Sequence, residues 1–232
     1  MDEPIFDQIV TDLRSNDVER AVQAIYRLEK VANEAHLPQL RRLLNDDDFF
    51  VREAAAHPYA RLLGVQALPL LLQAQIRGYD DGHDNDGLDA VITELVETHK
   101  PEATPILLDM LTSDNPKTRG QATWLLGFVA SEIEPGPLLN ALNDEQPEVR
   151  ANAAGALSSF ANHPTVGEAL IDALSDSNEG VRVSAASALG YLGDKRALPA
   201  LQSALNDPSE QVCRTAASAI EQLKKPKKTS GD

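Results

Sequence analysis

Apolar residues in this chain recur at helical spacing. Val149, Ala153, Ala156, Leu157 and Phe160 fall at i, i+4, i+7, i+8 and i+11, which is one stripe of an α-helix and not the alternation of a strand. The stripe returns along the chain. Val181-Arg182 leads into Ala185, Ala186, Ala188 and Leu189, and Val212-Cys213 into Ala216, Ala217, Ala219 and Ile220. Val51-Arg52 leads into Ala55, Ala56 and Tyr59, and Thr118-Arg119 into Ala122 and Leu126. The step is about 31 or 32 residues, with a double step between Arg52 and Arg119 that leaves room for one divergent unit.

A second apolar segment precedes each stripe, such as Leu138-Leu139 with Leu142, Ala169-Leu170 with Ala173-Leu174, and Leu198 to Leu201 with Leu205. Between the two segments lies a short acidic turn: Asn45-Asp46-Asp47, Ser113-Asp114-Asn115, Asn143-Asp144-Glu145, Ser175-Asp176-Ser177 or Asn206-Asp207-Pro208. Asp and Asn there can accept hydrogen bonds from the free N–H groups of the next helix start. The unit is helix A, acidic turn, helix B. Its repetition predicts an all-α superhelix of about seven helix pairs, with B helices starting near Asp17, Val51, Leu88, Thr118, Val149, Val181 and Val212. One solenoid is expected over residues 1–223, followed by a disordered tail at 224–232.

The pattern Leu-x-x-Leu, acidic turn, Val-Arg-x-x-Ala-Ala-x-Ala-Leu resembles the HEAT repeat, in the short form found in phycobilisome-lyase-like proteins. The resemblance covers nearly the whole chain and implies A helices outside and B helices lining a concave face. It also implies that the Arg at the second B position bonds to the acidic turn of a neighbouring repeat. Arg52, Arg119, Arg150 and Arg182 hold that position, while the last unit has Cys213 and the first has Val18. Departures at both ends suit capping repeats, which have one neighbour each.

Subtracting the core stripe leaves the B-helix positions expected to face out. They are Asn152, Gly155 and Ser159; Arg20, Gln23 and Arg27; Ala54, His57 and Arg61; Ala90, Thr93 and Glu97; Gln121, Trp124 and Phe128; Ser184, Ser187 and Tyr191; and Thr215, Ser218 and Gln222. Trp124 and Phe128 lie four residues apart and off the apolar stripe, and Tyr191 matches Phe128 two repeats later. Such aromatics are either binding anchors or fillers of an irregular gap. Trp124, Phe128, Tyr191, Gln121, Arg61, His57 and Arg27 form the candidate partner-binding set. Arg20, Arg27 and Arg61 make one end of the face basic, fit either to seat an acidic segment or to pair with nearby Asp and Glu.

The divergent third unit contains Gly78-Tyr79-Asp80-Asp81-Gly82-His83-Asp84-Asn85-Asp86-Gly87-Leu88. As a calcium loop it fails, because placing Gly87 at the sixth position puts Gly82 first and Thr93 twelfth, where acidic ligands belong. Asp84 or Asp86 is better read as a cap for the helix near Leu88. One His without a second at i+4 makes His83 a weak metal ligand. His57-Pro58 should interrupt and kink the second B helix.

Charge and composition narrow the function. There are 36 Asp and Glu against 21 Lys and Arg, a net charge of −15, which disfavours a nucleic-acid partner. Aromatics are 4% of the chain, so the core rests on Leu, Ala, Val and Ile. Cys213, the single cysteine, permits no intrachain disulfide. No apolar run approaches the ~18 residues of a membrane span, and Met1-Asp2-Glu3-Pro4 lacks a signal core, so a cytoplasmic monomer is expected. No phosphate loop, His-Glu-x-x-His, Cys-x-x-Cys or Gly-x-Ser-x-Gly motif occurs, and no cofactor is expected. The expected role is a non-catalytic scaffold or adaptor for a protein or peptide partner, of which an immunity-type inhibitor of a basic toxin would be one version. Bilin lyase or chaperone-like activity is the alternative that the family resemblance raises.

Overall fold

The computed structural model describes residues 3–161 and 163–225. The described residues form fourteen α-helices and no strand. Taken in order they make seven pairs: α1 (Glu3–Leu13) with α2 (Val18–Val31), α3 (Leu37–Leu43) with α4 (Phe49–Leu63), and α5 (Leu68–Asp80) with α6 (Asp86–Thr98). They continue with α7 (Lys100–Met110) and α8 (Pro116–Leu126), α9 (Gly136–Ala141) and α10 (Pro147–Leu157), α11 (Pro164–Ala173) and α12 (Glu179–Leu192), and α13 (Leu198–Ala204) and α14 (Glu210–Lys224). Lys224 belongs to the last helix, and the rest of the expected tail beyond Lys225 lies outside the described residues.

The chain divides into two compact units, Met1–Ile106 and Leu107–Asp232. In the first, α2, α4 and α6 pack in series, with α1, α3 and α5 against them. In the second, α8, α10, α12 and α14 pack in series, with α9, α11 and α13 against α10, α12 and α14.

Local sequence explains where helices start. Pro38, Pro69, Pro137, Pro164 and Pro199 sit in the first turn of their A helices, where a missing N–H costs nothing and φ is already helical. Asp17, Asp48, Asn115, Asn178 and Ser209 cap B helices, each with its side chain accepting from a backbone N–H of the first turn. Gly193 ends α12 at φ +71°, a left-handed cap that suits glycine.

The B helices supply most of the core of the second unit. Ala122, Ala153, Ala154, Ala185, Ala186 and Ala216 are fully buried, and such small side chains let helix axes approach closely. At Gly127 an added Cβ would lie 3.4 Å from the Cβ of Ala156, and at Gly190 it would lie 3.1 Å from that of Ala219. Both glycines occupy the twelfth position after their N-cap and both alanines the tenth, so successive B helices share one register.

Helix α4 differs from expectation. Pro58 lies inside it, yet the helix runs unbroken from Phe49 to Leu63. Pro58 is buried; its missing N–H leaves one helical bond unmade and its ring crowds the carbonyl one turn earlier, without ending the helix.

Candidate functional site: the exposed rows of the B helices

Counting from each N-cap aligns the seven B helices by structure. The fourth position after the cap is Arg52, Arg119, Arg150, Arg182 and Cys213 in five of them. In α2 it is buried Ala21 and in α6 it is Asp89. The first repeat therefore places Ala21, not Val18, at the arginine position. The sequence pattern had slipped there because Asp17 is the cap and not the first apolar residue.

In the second unit these arginines form a repeated bridge. Arg119 Nε and Nη2 donate to the Asp144 carboxylate at 2.8 and 2.9 Å, while Nη1 donates to the Ser113 carbonyl at 2.9 Å. Arg150 holds Asp176 at 2.8 Å through both nitrogens and the Asp144 carbonyl at 2.9 Å. Arg182 holds Asp207 at 2.8 and 2.9 Å and the Asp176 carbonyl at 2.9 Å. Each aspartate also accepts from the backbone N–H two residues on, at Gln146, Asn178 and Ser209. The arginine bonds are the main reason these three carboxyls titrate below the usual carboxylate range, against the opposing effect of burial. Cys213 ends the series, its thiol donating to the Asp207 carbonyl at 3.2 Å.

The first unit varies the theme. Arg52 is fully buried and bonds to the Asp46 and Asp47 carbonyls at 2.9 and 3.0 Å and to Asp81 at 3.2 Å. Arg14, at the end of α1, pairs with Asp46. Asp89 stands where an arginine would and instead accepts from Gln75 at 2.6 Å and from the Tyr79 hydroxyl at 2.7 Å.

The turn between α5 and α6 is shorter than the sequence suggested, since α5 continues to Asp80 and α6 begins at Asp86. Neither Asp84 nor Asp86 occupies the cap; Asn85 does, without a side-chain cap bond. Asp84, one residue before that position, accepts from the Asp86 N–H at 3.0 Å, and Glu53 of α4 accepts from the Gly87 N–H at 2.9 Å. Burial pushes the Glu53 carboxyl up, and backbone donors at Gly87 and Leu88 oppose that shift. His83 stacks on Phe49 with ring centroids 4.7 Å apart. Among the described residues no group of three or more His, Cys, Asp or Glu is placed to hold a metal ion.

The outward row of each B helix lies at positions six, nine and thirteen after the cap. In α8 these are Gln121, Trp124 and Phe128; in α10 Asn152, Gly155 and Ser159. In α12 they are Ser184, Ser187 and Tyr191, and in α14 Thr215, Ser218 and Gln222. In α4 they are Ala54, His57 and Arg61, although Ala54 is buried. In α2 and α6 the register differs from the sequence reading. Counted from the cap the rows are Gln23, Tyr26 and Lys30, and Val91, Glu94 and Thr98, while Arg20, Gln23, Arg27, Ala90 and Glu97 of the sequence reading are exposed as well. Sequence reasoning thus left out Tyr26, Lys30, Val91, Glu94 and Thr98, which counting from Asp17 and Asn85 as caps would have found.

Arg20, Arg27, Arg61 and His57 are engaged with carboxylates of the same unit. Arg20 and Arg27 both bond to Asp12, at 2.8 and 2.7 Å, and Asp12 is itself buried. Arg61 donates to the Glu29 carboxylate at 2.8 Å and to the Ala32 carbonyl at 3.0 Å. His57 Nδ1 lies 2.9 Å from the same Glu29. His57 and Arg61 line a cleft of about 250 Å³ with Gly64, Glu94, Thr98 and His99.

In the second unit Trp124 and Phe128 meet edge to face, ring centroids 5.0 Å apart at 80°. Trp124 is 37% exposed and Phe128 half-buried. Tyr191 is 71% exposed. Asn152 is committed, donating to the Gly120 carbonyl at 2.9 Å.

Residues 133–224 match the family model for HEAT repeats. The helix pairs outside that range follow the same two-helix plan. No curated protein matches it. Similar solved structures include an engineered protein at 19% identity, covering 97% of each chain, with a TM-score of 0.49. Another is a designed armadillo repeat protein in complex with the peptide (KR)4, at 20% identity over 94% of this chain and 99% of that one, TM-score 0.47. The complex of CpcE and CpcF of phycocyanin lyase from Nostoc sp. PCC7120 is similar at 20% identity over 94% of each chain, TM-score 0.40.

Proposed function

We propose that this chain is a non-catalytic scaffold that binds a protein or peptide partner on the exposed rows of its B helices. One observation carries the reading. Tyr26, Trp124 and Tyr191 are exposed by 61%, 37% and 71%, and all three fall on the same structural row of their helices. A fourth exposed aromatic, Tyr79 at 46%, lies on α5 and off these rows. Aromatic side chains supply large contact area at low entropic cost, and burying one against a partner is worth roughly 1.5–3 kcal/mol.

The ionisable groups beside these rows are engaged with one another, as Glu29 is with His57 and Arg61, which favours holding over proton transfer. A net charge of −15 repels a polyanion, so the partner is a protein or peptide and not a nucleic acid. No described helix is long and apolar enough to cross a membrane. On this reading the chain works as a cytoplasmic monomer.

Affinity capture from native extract, comparing the wild-type chain with a Trp124→Ala/Phe128→Ala double variant of matching helicity, tests the reading. A partner held by the wild type and lost by the variant is expected. A partner held equally by both moves the site off this row, and no partner at all overturns the scaffold reading.

A further inference from the structure

We propose that the B-helix row of the second unit binds an extended peptide segment that carries no charged side chains. The proposal rests on the scaffold reading and adds the chemistry of the occupant. The row comprises three positions on each of α8, α10, α12 and α14, and none of these residues is Asp, Glu, Lys or Arg. The chain as a whole is 25% charged, so about three charges would fall there if the row followed the average composition. The first unit shows the contrast, because its corresponding row carries Lys30, His57, Arg61 and Glu94.

An uncharged row selects by desolvation. A partner carboxylate or ammonium laid on it would lose hydration and find no opposite charge on the row. An uncharged segment loses far less. Its backbone N–H and C=O groups would meet the hydroxyls and amides of Ser159, Ser187, Ser218 and Gln222, which can donate and accept.

Shape indicates an extended occupant. Gly155, Ser159 and Ser187 are the small outward residues between the Trp124–Phe128 pair and Tyr191, a low floor between raised aromatic edges. α8 and α10 share the same register as α12 and α14, as Gly127 against Ala156 and Gly190 against Ala219 show. Neighbouring axes at about 8–10 Å put α8 and α12 roughly 16–20 Å apart. An extended chain covers that distance in about five or six residues. Two apolar side chains at that separation would reach the two aromatic edges together.

Trp124 is the only tryptophan, so its emission reports directly on the row. The experiment uses the full chain and three octapeptide arrays: one without ionisable side chains, one with Asp or Glu at the two central positions, one with Lys or Arg there. Peptides retained from each array are titrated against Trp124 emission. The expected result is retention from the uncharged array, a blue shift of Trp124, and at least tenfold weaker binding when the central pair is charged. Tyr191→Ala, at an exposed site, should weaken binding at least tenfold, and Leu205→Ala, at the exposed end of α13 and off the row, should leave it unchanged. Equal Trp124 responses to charged peptides would overturn the proposal and leave the scaffold reading intact. No Trp124 response to any array would also overturn it, and the partner capture described above would then decide the scaffold reading separately.

Discussion

Arg150 grips the Asp176 carboxylate with two hydrogen bonds of 2.8 Å each, and its third nitrogen reaches the Asp144 carbonyl at 2.9 Å. One side chain thus ties its own turn to the next. Both partners are largely shielded, with side chains 14% and 15% exposed. The flat, forked guanidinium suits this task and an ammonium does not.

Replacing Arg150 by Ala is therefore expected to destabilise the second unit by about 3 kcal/mol, because a shielded carboxylate and a turn carbonyl lose their donors. Arg150→Lys should recover less than half of that. Urea denaturation followed by circular dichroism measures both, and a cost under about 0.5 kcal/mol for Arg150→Ala would assign the bridge no more than the value of a surface ion pair.

Acid should weaken the second unit through the same carboxylates. Asp144, Asp176 and Asp207 titrate below their ordinary value when folded, chiefly because an arginine bonds each. A depressed folded pKa means the unfolded chain binds protons first as pH falls. The stabilisation is complete above the ordinary aspartate range near pH 4 and is lost as pH drops through the folded values. Urea midpoints should fall steeply below about pH 4, and the fall should be shallower in Asp176→Asn.

Two glycines should respond in opposite directions to alanine. At Gly78 an added Cβ would lie 2.0 Å from the Asn85 Oδ1, and Asn85 is buried with its amide donating to the Gln75 carbonyl at 3.1 Å. Gly78→Ala should cost about 1–3 kcal/mol through overpacking. Gly155 is exposed within α10 and a Cβ there meets nothing within 4 Å. Gly155→Ala should stabilise by roughly 0.5–1 kcal/mol, through helix propensity and a less free unfolded chain. Thermal melts of the two variants test both signs.

Glu53 should behave as a helix cap supplied from a neighbouring helix. Its carboxylate accepts from Gly87 at the start of α6, where Asn85 makes no cap bond of its own. Glu53→Ala is expected to cost about 1 kcal/mol, and Glu53→Gln less, since an amide oxygen can still accept. Amide exchange at Gly87 should accelerate in Glu53→Ala and stay slower in Glu53→Gln.

The sequence alone determined the all-α class and the count of seven helix pairs. Those follow from local physics: the 3.6-residue stripe, the Asp, Asn and Ser caps, and the prolines in first turns act within a few residues and repeat. It also placed Trp124, Phe128 and Tyr191 on the outward side of their helices, because position relative to an apolar stripe is a local property. Tertiary structure decided what no local pattern encodes. Arg20, Arg27 and Arg61 were equally fit to seat an acidic segment or to pair with nearby carboxylates, and the fold pairs them with Asp12 and Glu29 across helix boundaries. Tyr26 joined the outward row only when the helix start was fixed at Asp17, because the divergent first repeat lacks the Val-Arg pair that sets the count elsewhere. The cap of α6 came from Glu53, 34 residues earlier in the chain. Such pairings depend on which helix faces pack together, and that is settled by burial of the whole core.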